Sequence, residues 1–152
     1  SGPQRPSAPA AYERLKGYQA CLAKNGIDFD PTLVEECLFW HSEAGFEATK
    51  RLLSRRRDFT AIFASNDTLA CGAMKALIGE GLSIPGDVSI IGFDGDELDE
   101  YLNPRLTTIW QNCEAIGATS ADLLLKKLAG EPTPDTVYVS ARLIERDSCR
   151  RI

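Results

Sequence analysis

The chain has one histidine and one methionine among 152 residues, and no purely apolar run longer than a few residues. Runs that short cannot cross a bilayer. His41 has no second histidine with which to share a metal, so it reads as a polar loop residue and no metal site is expected. G-x-S-x-G, P-loop and G-x-G-x-x-G strings are all missing, which removes the hydrolase and nucleotide-cofactor readings built on them, and no cofactor is expected. Positive charge is in deficit: 17 Lys and Arg stand against 22 Asp and Glu, a net charge of -5, and an acidic domain is a poor binder of a phosphate backbone. No basic start followed by an apolar stretch marks a signal peptide. The five cysteines, Cys21, Cys37, Cys71, Cys113 and Cys149, are odd in number and without C-x-x-C spacing. They suggest neither a disulfide framework nor a zinc clip, and fit unpaired thiols in a reducing cytoplasm.

What is present is an ordinary globular composition, 43% apolar and 26% charged with 12 glycines and 8 prolines, enough for one domain with a real core. Ser7 can cap a helix beginning near Pro9, with Ala11, Leu15, Tyr18 and Leu22 inward and Gly26 as its stop. Residues 33–39 read as a short strand. Ser42 is placed to cap a second helix carrying Phe46, Thr49 and Leu53 and ending in Arg55, Arg56 and Arg57, whose charges suit a helix C-terminus. A strand over 60–64 comes next. Asn66 or Asp67 then caps a helix with Leu69, Ala73, Ala76 and Leu77 inward, stopped at Gly81.

Residues 88–93 form the clearest buried strand, because Val88, Ile90, Ile91 and Phe93 leave almost no polar alternation, and a strand covered on both faces favours a parallel sheet. A short acidic helix over 96–102, a strand over 106–110, a helix over 114–128 and an alternating final strand over 137–143 complete the chain. Strands alternating with helices describe an α/β layered domain. The opening on a helix is unusual, since a doubly wound sheet starts with the strand that ends near its centre.

In such sheets ligands sit beyond the carboxyl ends of the strands. Those positions hold Trp40, Asn66 with Asp67, Asp94 with Asp96, and Gln111, and Arg14 stands near the start of the first helix. A flat indole, an amide, a carboxylate and a guanidinium together form a set that reads hydroxyl groups. Each also has a plainer role: Asn66 and Asp67 as helix caps, Asp94 as a turn cap, Trp40 as core. Taken singly, the plainer role is the better reading. The string Gly92-Phe93-Asp94-Gly95-Asp96 offers a strand ending in D-x-D, as in haloacid-dehalogenase-type phosphatases. The later lysine and paired carboxylates that would hold magnesium are not found at another strand end, so catalysis is not expected.

The order of the motifs adds a further reading. Gly2-Pro3, Arg14 with Gly17-Tyr18, the run from Phe59 through Ala64-Ser65-Asn66-Asp67, Ala70, Gly72-Ala73, Gly81, Ile84-Pro85, the run from Asp87 to Asp94, Leu106-Thr107-Thr108, Ile116-Gly117 and Leu143-Ile144-Glu145-Arg146 resemble the LacI/GalR family of bacterial transcription regulators. The resemblance covers nearly the whole chain. It implies a three-layer, mostly parallel sheet with helices on both faces, the C-terminal lobe of a type I periplasmic-binding-protein-like core. Residues 1–111 and 136–147 would form the second lobe, and 112–130 the helix crossing to the first. The DNA-binding headpiece, most of the first lobe and the leading strand would precede Ser1. By the same resemblance the effector contacts fall on Arg14, Trp40, Asn66, Asp94 and Gln111, and Trp40 beside such polar groups suits a saccharide. A homodimer interface would use Cys71, Met74, Ile78 and Leu102, operator DNA would be read only through the headpiece, and no membrane partner is implied. Arg105 stands where the family usually has a second proline. The competing reading within the superfamily is a periplasmic sugar-binding protein of a transport system.

Overall fold

The local signals for helix ends are met closely. In the computed structural model, which describes residues 9–151, α1 spans Pro9–Lys24, α2 Ser42–Arg55, α3 Asp67–Gly79 and α4 Cys113–Leu128. Asn66 caps α3 by accepting the Leu69 amide at 2.8 Å, and Asn112 caps α4 by accepting the Ala115 amide at 3.0 Å. The cap of α2 is His41, not Ser42: its Nδ1 accepts the Ala44 amide at 3.2 Å while its ring stacks on Phe39. Gly26 and Gly81 stand beyond α1 and α3 at φ 69° and 76°, a left-handed turn that glycine adopts without penalty. Ser7 and Gly2-Pro3 lie outside the described residues.

Four strands form one sheet in the order β1 (Ala61–Phe63), β2 (Ser89–Asp94), β3 (Thr107–Trp110) and β4 (Arg142–Ile144). The first three are parallel and β4 is antiparallel. Register assigns the faces. Ile62, Ile90, Gly92 and Thr108 share one side, against α3, whereas Phe63, Ile91 and Phe93 share the other, where Tyr18 and Arg14 of α1 meet Phe63 and Phe93. Helices therefore lie on both faces, as the alternation of elements implies.

The core sits between α3 and the sheet. Leu69, Ala70, Ala73 and Met74 pack with Ala64, Ile90 and Leu106, and a second cluster joins Leu53, Leu77 and Val88. Burial in α2 falls on Gly45, Ala48, Thr49, Leu52 and Leu53, while Phe46 lies at the rim between the ammonium groups of Lys50 and Lys75. The two helices meet at their glycines. A Cβ on Gly45 would overlap the Leu69 carbonyl, and one on Gly72 would overlap the Ser42 carbonyl.

One expected strand is not formed, and another is formed only at its end. Residues 33–39 do not pair: Asp30 caps a 3-10 turn, Pro31–Leu33, and the chain beyond it runs unladdered, tied to α2 by Arg51 and Arg55 on Glu35. An extended run becomes a strand only when a neighbour offers a ladder, and among the described residues no strand lies on the free side of β1. Of residues 137–143 only the last two join β4; Val137 and Val139 instead line a groove of about 290 Å³ with Ile116, Thr119, Ser120 and Leu123 of α4. α4 has no buried residue, and Leu124, Leu125 and Leu128 are exposed.

The helix crossing generates a stability prediction. Gly72→Ala is expected to destabilise the chain by about 1–3 kcal/mol, the usual cost of overpacking, because backbone on both sides prevents local relief. Urea unfolding checks it; an unchanged midpoint would count against the close approach.

Candidate functional site

The carboxyl ends of β1, β2 and β3 converge, and the side chains expected there meet. Arg14 reaches from the second turn of α1, with its guanidinium 3.7 Å from the Phe93 ring centroid and 5.5 Å from that of Trp40. It donates to the Ser65 carbonyl and, at 3.4 Å, to Asp94 Oδ1. Gln111, at the end of β3, donates through Nε2 to the same Oδ1 at 2.6 Å. Asp94 Oδ2 has no hydrogen-bond partner among the described residues, and the side chain is 31% exposed. Burial raises the Asp94 carboxyl above its ordinary value, while the Arg14 charge and the Gln111 hydrogen bond pull it back.

Asn66 is both a cap and a wall residue. Its Oδ1 is taken by the Leu69 amide, and its Nδ2 faces the Trp40 carbonyl at 3.5 Å, which places Trp40 over the start of α3. Arg14, Trp40, Asn66, Asp94 and Gln111 thus share one face at the strand ends. That face is an open wall, and neither of two concavities found elsewhere on the chain includes any of them. Asp96 lines a separate cavity with Asp67 and Asp99, and its amide donates to Asp67 Oδ2. Among the described residues no group of His, Cys, Asp and Glu is arranged to hold a metal ion.

Asp94 itself is held in an unusual backbone conformation, φ 128°, one that costs a non-glycine residue about 1–3 kcal/mol. The cause lies in the next two residues. Gly95 and Asp96 both donate their amides to Asp67 Oδ2, at 2.6 and 3.1 Å, and the Gln111 amide donates to the Asp94 carbonyl at 3.1 Å. Thr108 donates its hydroxyl to Asp67 Oδ1 at 2.6 Å, and a Cβ on Gly92 would overlap that oxygen. Asp67, only 3% exposed, therefore holds the turn that presents Asp94.

Sequence reasoning selects the presenting residues and misses this support. From spacing alone Asp67 is a helix cap beside Asn66. Its adjacency to the strand end and the paired threonines Thr107-Thr108 are the available signal. Phe93, which carries the Arg14 guanidinium, reads from sequence as core.

At the expected two-fold face the four residues separate. Met74 is 4% exposed and belongs to the core, because its side of α3 turns toward Ile90 and Leu106; it offers nothing to a partner. Ile78 is 54% exposed, Cys71 and Leu102 are half-buried, and Leu98 and Tyr101 add exposed apolar surface nearby in sequence.

A model of the periplasmic binding protein-like domain matches residues 2–149. The chain belongs to that family. The regulator MalR of Clostridium butyricum is 40% identical over 139 residues, which are 91% of this chain and 41% of that protein. Among solved structures, a sugar-binding transcriptional regulator of the LacI family from Escherichia coli, complexed with phosphate, superposes with a TM-score of 0.86 at 35% identity, over 93% of this chain and 51% of that one. The complex of the regulator CelR with cellobiose gives 0.86 at 33% identity, over 90% and 42%. The likeness to LacI-type effector domains read from the motifs is thereby shown. The chain spans less than half the length of the curated relatives it matches.

The Asp67 cluster of this periplasmic-binding-protein-like domain can be probed directly. Thr108→Val removes a donor to a buried carboxylate and is expected to cost about 1.5–3 kcal/mol, the usual worth of a hydrogen bond to a charged group. Thermal unfolding reads it, and a variant as stable as the parent would contradict the bond.

Proposed function

We propose that this chain supplies one wall of the effector-binding cleft of a LacI-type transcriptional regulator, and that the effector is a saccharide. The observation that carries the reading is Asp94: a carboxylate at a strand end, oriented by Arg14 and Gln111 through one oxygen, its other oxygen without a partner among the described residues, while Arg14 also lies against the Trp40 ring. A free carboxylate oxygen accepts from a sugar hydroxyl, Arg14 and the Asn66 amide lie at hand as donors, and the indole face suits the C–H face of a sugar ring. Relatives named as regulators, one of them in complex with cellobiose, support the regulator over a transport-system protein. The same reading places the protein in the cytoplasm and assigns operator binding to a headpiece outside this chain. No helix among the described residues is long and apolar enough to cross a membrane.

The exposed apolar groups of α4, Leu124, Leu125 and Leu128, fit the role of a helix that packs on a first lobe, with 1–111 and 136–147 as the second lobe. Closure of two lobes over a ligand would bury the wall, and differential affinity of open and closed states would change operator binding. No catalytic step is assigned; the relatives are regulators.

Binding is tested in a polypeptide of the relatives' full length, titrated by calorimetry with cellobiose, maltose and galactose. Asp94→Ala and Arg14→Ala are each expected to weaken the affinity of the sugar that binds by roughly tenfold to a hundredfold, the loss of one buried polar partner. Unchanged affinity in both variants would remove the site. Assembly through Cys71, Ile78 and Leu102 is tested separately: Ile78→Lys places a charge at the centre of the face and is expected to shift sedimentation at micromolar concentration from dimer toward monomer. A parent protein that sediments as a monomer would contradict the interface.

A further inference from the structure

Beneath the wall lies a second carboxyl that the proposed function does not use. Asp99, in the 3-10 helix Glu97–Tyr101, is 1% exposed, and its Oδ2 has no hydrogen-bond partner. It lines a cavity of about 50 Å³ together with Asp67, Asp96, Ser42, Thr68, Cys71, Leu98 and Leu102, so Asp99 and Asp67 border one small space. Two carboxyls can share a hydrogen bond only if one carries a proton. Asp67 already accepts from Thr108, Gly95 and Asp96, so in a hydrogen bond between the two carboxyls Asp99 is the donor.

We propose that Asp99 is a positioning residue for the binding wall: in its protonated form it donates to Asp67, and through Asp67 it fixes the Asp94–Gly95–Asp96 turn that presents Asp94. The link makes the turn responsive to pH. The charged and titratable groups around Asp99 are Asp67 and Cys71 from α3, Asp96 from its own segment and Arg146 from the chain after β4, whose Nη1 lies 3.6 Å from Asp99 Oδ2. Arg146 is committed elsewhere, donating to the Leu106 carbonyl at 2.6 Å and to Glu100 at 2.8 Å, and Glu100 also faces Arg105 at 3.7 Å. Arg146, shared with Glu100 and the Leu106 carbonyl, is thus the one cation among the described residues set against Asp67, Asp96 and Asp99. Burial, reinforced by the Asp67 charge and against the pull of Arg146, pushes the Asp99 carboxyl up to about 7. Above that pH the donor is lost and two carboxylates face each other, which loosens the hold on the turn.

The proposal rests on the saccharide reading only for what the wall binds, so its test is free of ligand. Backbone amide resonances of Gly95 and Asp96 and the side-chain amide of Gln111 are followed by nitrogen-15 NMR from pH 4.5 to 8.5 in the parent, Asp99→Asn and Asp99→Ala. In the parent all three are expected to shift together with a midpoint near 7. Asparagine keeps an N–H donor toward Asp67 and cannot titrate, so Asp99→Asn is expected to keep the low-pH positions throughout. Asp99→Ala should show displaced positions at every pH.

Stability gives a second readout that does not depend on the alanine variant folding well. Asp99 holds its proton in the folded chain at pH values where the unfolded carboxyl, near 3.8, has lost it. Its contribution is therefore complete below the unfolded value and declines as pH rises toward the folded one. The parent should lose stability relative to Asp99→Asn between about pH 4 and pH 7, with no further change above. Amides that fail to move near pH 7 in the parent, or that titrate alike in Asp99→Asn, would overturn the proposal. Absence of sugar binding with an intact amide titration would instead remove only the saccharide reading.

Discussion

One buried carboxylate constrains more of this chain than any other group. Asp67 opens α3, yet its oxygens reach across to the end of β2 and to the middle of β3, where Gly95, Asp96 and Thr108 supply donors. A charge so far from solvent persists only when such partners replace its hydration. The requirement propagates outward. Gly92 must lack a side chain, Thr108 must keep its hydroxyl buried, and the turn after β2 must present two consecutive amides to one oxygen, which forces Asp94 into its positive φ. The shape of the wall is thereby set from beneath, before any ligand arrives, and a pre-ordered wall loses less entropy on binding.

The two sides of the sheet are finished to different degrees. On one, α2 and α3 lie close enough at Gly45 and Gly72 for backbone to touch backbone, and most of the fully buried residues belong to this side. On the other, α1 gives only a half-buried cover, with Phe63 at 38% exposure and the aromatic ring of Phe93 serving as a platform for Arg14. The proposed binding wall lies at the strand ends where these sides meet. A rigid side anchors Asn66, Asp67 and the turn, and the looser one contributes the long, charged Arg14 side chain. α4 takes part in neither and leaves the sheet with its apolar residues uncovered.

The helices and the central strands were legible because the signals that define them are local. Caps such as Asn66, the left-handed glycines Gly26 and Gly81, and the apolar run 88–93 act within a few residues of themselves. The wall was legible for another reason: in a parallel sheet the carboxyl ends of the strands lie together by topology, so Asn66, Asp94 and Gln111, at or just past the ends of β1, β2 and β3, are gathered without any structure, whereas Trp40 follows no strand and is brought there by its carbonyl facing Asn66. The rest depends on partners distant in sequence. Residues 33–39 and 137–141 carry strand-like composition, and composition does not say whether a neighbouring strand exists. Met74 has the spacing of a surface residue on one helix face and of a core residue on the next, a choice made by where β2 lies. The role of Asp67 and the burial of Asp99 depend on contacts 28 and 32 positions away, the first through the amide of Gly95 and the second through Asp67 itself.

Ser148 has the same character, and it bears on the order in which the chain can be completed. Wholly buried, it accepts the Thr107 amide at 2.8 Å, donates to the Ile90 carbonyl at 2.6 Å, and its own carbonyl accepts the Ile90 amide at 2.9 Å. It is the stitch between β2 and β3 where the two strands begin, placed 58 residues beyond one and 41 beyond the other. During synthesis the parallel strands emerge before Ser148, and backbone groups at the start of each lack this partner until it follows. A contact that spans so much sequence forms late and slows closure of the sheet. For that interval the nascent chain carries unpaired strand ends, the condition in which partly folded proteins associate wrongly. Any reliance on chaperones while the chain is being made thus has a definite origin: a residue 41 and 58 positions downstream closes the junction of β2 and β3.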